Sequence, residues 1–171
     1  MGVLGTLHYL YTKYRISNSR KSILATVKSC GDNLHVNAPC RFNNNTYLGN
    51  NVNLNGMAVG GSGKVVIGNN FHSGSECQII TNIHNYDHGT SIPYDANDIQ
   101  KDVIIEDNVW IGNRVIILGG AYLHEGCIIQ AGSVVIGDIP YCAIAGGHPA
   151  KVFKMRDVEH YESLKAQGKF M

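Results

Sequence analysis

An apolar residue recurs at every sixth position through the second half of the chain: Ile105, Ile111, Ile117, Leu123, Ile129, Val135 and Tyr141. An earlier block keeps the same step at Val36, Phe42, Leu48 and Leu54, and again at Ile67, Ser73 and Ile79. This period matches neither an amphipathic helix nor an alternating strand. A fixed period of this kind marks a stacked architecture, in which each repeat buries its apolar side only against the next. The pattern therefore predicts an all-β solenoid of short strands and tight turns. The first residue of each hexad points inward. The fifth also turns inward, near a corner, and must be small. The fifth positions are Cys40, Thr46, Val52, Ala58, Cys77, Val109, Val115, Ala121, Cys127 and Ser133. Turn positions collect Gly49, Asn50 and Asn51, then Gly68, Asn69 and Asn70, then Gly112 and Asn113. Gly and Asn accept positive φ at least cost. Three hexads per coil predict about five coils between Val36 and Gly146. A β-sandwich would instead show alternation and irregular spacing.

Departures from the period divide the chain. Residues 1–33 precede it and read as a capping arm, since an open solenoid end is a sheet edge that needs cover. Residues 34–149 form the solenoid. Within it, Leu54 and Ile67 are 13 residues apart rather than 12, which predicts one extra residue in a bulged turn at Gly60-Gly61-Ser62-Gly63. Residues 85–102 break the register with a polar excursion that holds Tyr86, Asp87, His88, Gly89, Pro93, Tyr94, Asp95, Asn97 and Asp98. A long polar loop inside a regular repeat is usually functional. Residues 150–171 carry Val152, Phe153, Met155, Val158, Tyr161 and Leu164 and are expected to form a C-terminal helix over the last coil.

Composition narrows the function classes. The 171 residues suffice for one domain with a continuous core. A net charge of +1, with 16% charged residues, gives no electrostatic case for nucleic acid. The five cysteines form no C-x-x-C pair, and Cys40, Cys77 and Cys127 fall at inward fifth positions. They read as small core residues, which fits a reducing cytoplasm. Met1–Leu10 is mildly apolar but too short to span a bilayer. It also lacks the charged start of a signal peptide. Weak contact of this arm with a membrane surface is a secondary reading.

The repeats resemble those of the hexapeptide-repeat acyltransferases. The resemblance covers roughly Val36 to Lys154 and implies a left-handed parallel β-helix, use of acetyl-CoA, no metal, and a homotrimer with its sites between subunits. Three local motifs support it. Thr81-Asn82-Ile83-His84-Asn85-Tyr86-Asp87 resembles the segment before the loop in xenobiotic, galactoside and polysaccharide acetyltransferases. Asn108-Val109-Trp110-Ile111-Gly112 matches that family's N-V-W-I-G. Gly146-Gly147-His148-Pro149-Ala150-Lys151-Val152 matches its G-x-P-A-[KR]-[VI].

Chemistry and resemblance together name the candidate residues. Transfer of an acyl group to a hydroxyl needs a base for the hydroxyl proton, and neutral imidazole suits that task. The tetrahedral oxyanion then needs a donor, most simply a backbone N–H. The motif places the base at His84, with His88 as runner-up. No G-x-S-x-G nucleophile motif is present, which favours direct transfer in a ternary complex. The resemblance implies cofactor contacts at Trp110, Gly112, Asn113, Ala131, Gly132, Lys151 and Lys154. The two lysines would pair with the phosphates of the cofactor. The family often follows its A-G-S with Thr-Lys, whereas this chain has Ile136 and Gly137 there. Acceptor contacts are expected at Asn53 or Asn55 and at Tyr86, Asp87 and His88. The implied activity is O-acetylation of a sugar hydroxyl in glycan biosynthesis. N-acetylation of a nucleotide-linked amino sugar or of an antibiotic is the alternative. A zinc-dependent γ-class carbonic anhydrase on the same scaffold would need three convergent histidines. His88 and His124 are 36 residues apart, but the excursion breaks that register.

Overall fold

Each coil lies in register on the next, and this stacking builds three faces of parallel strands. The computed structural model describes residues 2–171. Met1, where the expected capping arm begins, lies outside the described residues. The coil is a left-handed parallel β-helix of about six turns. The first face has five strands, the second six plus a terminal antiparallel one, and the third four. The stacking starts earlier than the period predicts, at Ser29, which pairs with Tyr47. It runs on to Ala145, which pairs with Ile129.

The hexad positions form the core. Ile105, Ile111, Ile117, Leu123, Ile129 and Val135 are buried, as are Leu48, Leu54, Ile67, Ser73 and Ile79. Val52, Val109, Val115, Ala121, Cys127 and Ser133 line the corners and are also buried. Burial pushes the Cys127 thiol up to about 12, so it packs as a protonated apolar group. Two inward assignments fail. Tyr141 lies in a turn, half-buried, with its hydroxyl on Glu162. Ala58 faces outward opposite Gln78, because Met57 and Val59 take the inward places of that strand. The 13-residue step also has a different composition from the one expected. Val59 follows Leu54 after five residues, and Ile67 follows Val59 after eight. The coil loses a residue at one corner and gains two in the glycine turn.

The corner between the first and second faces is held by side-chain ladders. Asn33 Nδ2 donates to Asn51 Oδ1 at 2.9 Å, Asn51 to Asn70 at 2.9 Å, and Asn70 to Asn108 at 2.8 Å. All four have positive φ, between 53° and 60°. This explains asparagine here: it tolerates the left-handed region and carries a donor and an acceptor to pass along the stack. The ladder ends on Glu125. Asn108 Nδ2 donates to it at 3.1 Å, Tyr161 Oη at 2.8 Å, and Lys165 Nζ lies 2.7 Å away.

Tyr161 and Lys165 belong to α2 (Val158–Ala166), whose N-cap Asp157 accepts from the His160 N–H at 3.0 Å. The helix expected over 150–171 therefore begins later. Ala150–Met155 forms instead a strand antiparallel to Ala143–Gly147. The last coil leaves an open sheet edge there, and pairing it satisfies more backbone groups than a helix lying across it would. At the other end, α1 (Val3–Thr26) packs its C-terminal half on the first coil. Ser19 Oγ accepts from the Cys40 N–H at 2.7 Å, and Ile23 is buried. No helix among the described residues is long and apolar enough to cross a membrane.

Two outcomes test this architecture. Ile117→Ala removes a fully buried side chain from the middle of the stack and should cost about 2–5 kcal/mol in denaturant unfolding. The second concerns acid. Burial works against the charge on Glu125, but hydrogen bonds from Lys165, Tyr161 and Asn108 outweigh it and hold the carboxyl below its ordinary value of 4.5. A depressed folded-state value contributes stability that is present above pH 4.5 and is lost as pH falls through it. Thermal unfolding followed against pH should therefore show a shallower acid-side decline in Glu125→Gln than in the parent chain.

Candidate active site

The excursion is built as a hairpin on a tied base. Thr81 is buried and fixes its stem: its Oγ1 donates to the Gly60 carbonyl at 2.9 Å and accepts from the Gly63 N–H at 3.0 Å. The Lys101 N–H donates to the Thr81 carbonyl at 2.8 Å, so the chain leaves and returns at adjacent points. Between them, Asn82–His84 pairs antiparallel with Asp98–Gln100. Part of the segment read as loop is thus strand. Asp95, also buried, organises the tip. It accepts from the backbone N–H groups of Asn97 and Thr90 and from the side chains of Asn97 and Asn85. These bonds, led by the one from the Asn97 backbone, hold its carboxyl below the usual range.

The hairpin register sets His84 directly opposite Asp98. His84 Nδ1 lies 2.8 Å from Asp98 Oδ1. A carboxylate can only accept, so Nδ1 carries the proton and Nε2 keeps its lone pair. The Tyr94 ring stacks on the imidazole at 3.9 Å, with the planes 8° apart. Asp98 is steadied in turn by Asn82 Nδ2, which donates to its Oδ2 at 3.2 Å. Asn82 Oδ1 accepts from the Ser62 N–H at 3.0 Å, which ties the group to the glycine turn of the preceding coil. The imidazole remains half-exposed, with Nε2 free to meet a ligand. This is the geometry of a general base: fixed tautomer, fixed ring plane, open reacting nitrogen. Asp98, Tyr94 and Asn82 were present in the sequence as polar residues near His84, but nothing in the spacing tied them to it. Only the antiparallel return of the chain does.

The other candidates fall into three places. Gly112, Asn113, Ala131 and Gly132 gather at the corner between the second and third faces. A Cβ on Gly112 would come within 2.6 Å of the Ala131 nitrogen, and one on Gly74 within 2.4 Å of the Asn113 nitrogen. Close coil contact therefore requires glycine at both. Lys151 joins this corner, since it pairs with Gly146, next along the same column. Lys154 stands apart, opposite Ile144. Both lysines are on the added strand rather than on a helix, and both are exposed.

Trp110 stands on the outer side of the second face, between His72 and Ile128, and is 54% exposed. With Arg156, Tyr161, Lys165, Lys169 and Phe170 it lines a cavity of about 540 Å³. The sequence offered no signal for the contribution of α2 and the residues after it to this wall. Within one chain, then, His84 and Trp110 are on different faces.

The acceptor candidates divide as well. Tyr86, Asp87 and His88 are exposed on the excursion, with Asp87 and His88 3.9 Å apart. The Asn55 amide is engaged at both ends: Nδ2 donates to the Ser73 carbonyl at 2.6 Å, and Oδ1 accepts from Asn37 at 3.0 Å. Asn53 receives only a long bond from Asn37, at 3.4 Å. Of the two, Asn53 is the freer to bind. Among the described residues no group of three His, Cys, Asp or Glu side chains is placed to hold a metal ion within the chain.

Comparison with known proteins sets these features in context. Residues 102–137 match the family described as bacterial transferase hexapeptide (six repeats). A provisionally named acetyltransferase of Saccharomyces cerevisiae is 35% identical over 153 residues, which cover 86% of this chain and 77% of that protein. A shorter match, 44% identical over 54 residues, is to the 2,3,4,5-tetrahydropyridine-2,6-dicarboxylate N-acetyltransferase of Clostridium perfringens, and it spans 23% of that protein. Among solved structures, a galactoside acetyltransferase in complex with coenzyme A superposes with a TM-score of 0.72 at 25% identity, over 91% of this chain and 80% of the other.

The ring geometry is open to a direct check. ¹⁵N NMR of the imidazoles should show the neutral His84 ring as the tautomer with a protonated Nδ1 and a bare Nε2. Asp98→Ala should abolish that preference; an unchanged tautomer would remove Asp98 as its cause.

Proposed function

This chain belongs to the hexapeptide-repeat acetyltransferases, and on that premise we propose that it moves an acetyl group from acetyl-CoA to a sugar hydroxyl, with His84 as general base. The observation that carries the proposal is the His84–Asp98 pair, with its open Nε2, at the mouth of the excursion. In the step proposed, His84 Nε2 takes the hydroxyl proton as the sugar oxygen attacks the thioester carbonyl. A backbone N–H stabilises the oxyanion. Collapse of the tetrahedral intermediate breaks the C–S bond, and the imidazolium returns its proton to the departing thiolate. Asp98 holds the ring in the tautomer and orientation that this transfer needs.

Cofactor binding is assigned to the corner of Gly112, Asn113, Ala131 and Gly132, with Trp110 beside the acetyl end and Lys151 and Lys154 toward the phosphates. Asn53, Tyr86, Asp87 and His88 are assigned to the acceptor. The separation of His84 from Trp110 supports a homotrimer in which one subunit supplies the base and its neighbour the cofactor wall. A galactoside acetyltransferase with this architecture binds coenzyme A, which supports both cofactor and acceptor class. The shorter likeness to an N-acetyltransferase supports the second reading, an amine acceptor, for which the same base would serve.

The test is kinetic. His84→Ala should lower kcat by roughly 10²–10⁴-fold. Calorimetric affinity for acetyl-CoA should stay near that of the parent. Retention of more than a few per cent of turnover would sink the base assignment, and a preference for amino sugars over their hydroxyl counterparts would move the activity to N-acetylation.

A further inference from the structure

α1 carries two stripes on opposite sides. At about 100° per residue, Ile16, Ser19 and Ile23 share one side, and this side meets the first coil. Leu4, Leu7, Leu10, Tyr11 and Tyr14 share the other, in the N-terminal half of the helix. These five are 56% to 84% exposed, and no other part of the chain among the described residues covers them. The two stripes point in opposite directions, so the outer one faces away from the solenoid.

Charge follows the same division. Lys13, Arg15, Arg20 and Lys21 lie on α1, and no Asp or Glu occurs before Asp32. These are four of the 14 basic residues of the chain, and the remaining ten face all 13 acidic ones. A molecule with a net charge of only +1 thus concentrates its positive charge on one helix. Arg15 and Lys21 flank the apolar stripe, with the Arg15 guanidinium 5.8 Å from the Tyr11 ring centroid. Lys13 Nζ lies 4.7 Å from the Tyr9 ring centroid on the polar side of the helix, and Arg20 Nε donates to the Leu34 carbonyl of the first coil at 3.4 Å. Aromatic and leucine side chains on one side, with long basic side chains able to reach past them, match the interface between lipid headgroups and acyl chains.

We infer that α1 docks on an anionic lipid bilayer, with Leu4, Leu7, Leu10, Tyr11 and Tyr14 in the headgroup–acyl boundary and Arg15 and Lys21, at the edges of that stripe, against lipid phosphates. A second copy of the helix is the poorer occupant. Pairing two copies would bring their basic residues together with no acidic partner on either, whereas an anionic surface complements each of them. One such helix binds weakly by itself. In the trimer proposed above, three helices at the same end of the solenoids would engage together and raise the avidity. Docking would bring the acetyl-transfer site to acceptors carried on lipid, a consequence that rests on the proposed function, while the docking itself does not.

Flotation of the full chain with vesicles tests this. Phosphatidylcholine vesicles containing roughly one-third phosphatidylglycerol should carry the protein, pure phosphatidylcholine vesicles should not, and added salt should weaken the binding. The double variant Leu7→Glu/Tyr11→Glu should bind at least about ten-fold more weakly. Its acetylation of a soluble sugar should match the parent chain, which shows that the fold is intact. Failure to float, equal binding to neutral vesicles, or undiminished binding by the variant would overturn the proposal. A loss of oligomer mass in the variant without vesicles would also overturn it and assign the stripe to a second copy. Absence of acetyl transfer in parent and variant alike, with flotation as expected, would count against the proposed function and leave the docking supported.

Discussion

Every feature of this protein depends on the in-register stacking of one coil on the next. Each residue sits over its counterpart, so whatever chemistry a position has is repeated down a column. Columns of isoleucine, leucine and valine, such as Leu48, Ile67, Ile105 and Leu123, exclude water from the interior, each member contributing about 1.5–3 kcal/mol by burial. An asparagine column links donor to acceptor through four coils and ends on Glu125. A corner where coils approach closely must hold glycine, as at Gly74 and Gly112, because any side chain would strike the next coil. The same stacking leaves two ends with unpaired strands. The added strand Ala150–Met155 and α2 cover one, and the inner stripe of α1 covers the other.

The stack also explains how a site can be inserted without loss of the core. The excursion leaves at Thr81 and returns at Lys101, two residues joined by a backbone hydrogen bond, so the inward columns pass beneath it unbroken. Freed from the repeat, the inserted residues adopt an antiparallel pairing that the solenoid itself does not use among its coils. That pairing brings His84 and Asp98 together and places Tyr94 on the imidazole. Rigid coils below and a tied hairpin above supply the fixed geometry that the proposed proton transfer needs.

The repeat, the excursion and the position of His84 at its start were legible in the sequence, because each is a matter of residue type at a fixed step. The departures each have a local cause. Tyr141 sits at a hexad position but past the last full coil, where nothing stacks on it from above. Ala58 was displaced from the interior when the chain dropped one residue between Leu54 and Val59. The apolar neighbours of Lys151 and Lys154 fit helical spacing, but the open sheet edge of the last coil claims that segment as a strand. Asn55 looked available for a ligand, yet its amide completes the bonding of the neighbouring coil.

By itself the sequence determined the solenoid, since a six-residue apolar period has one economical way to bury itself, and it placed the general-base candidate where that period breaks. Tertiary structure alone decided which groups meet. It set Asp98 and Tyr94 on His84 through a hairpin register that no local pattern encodes, and it moved Trp110 to a different face. It also turned the outer half of α1 away from the coils it caps. Such pairings join residues far apart along the chain, and their selection depends on which edges and faces the finished stack leaves open.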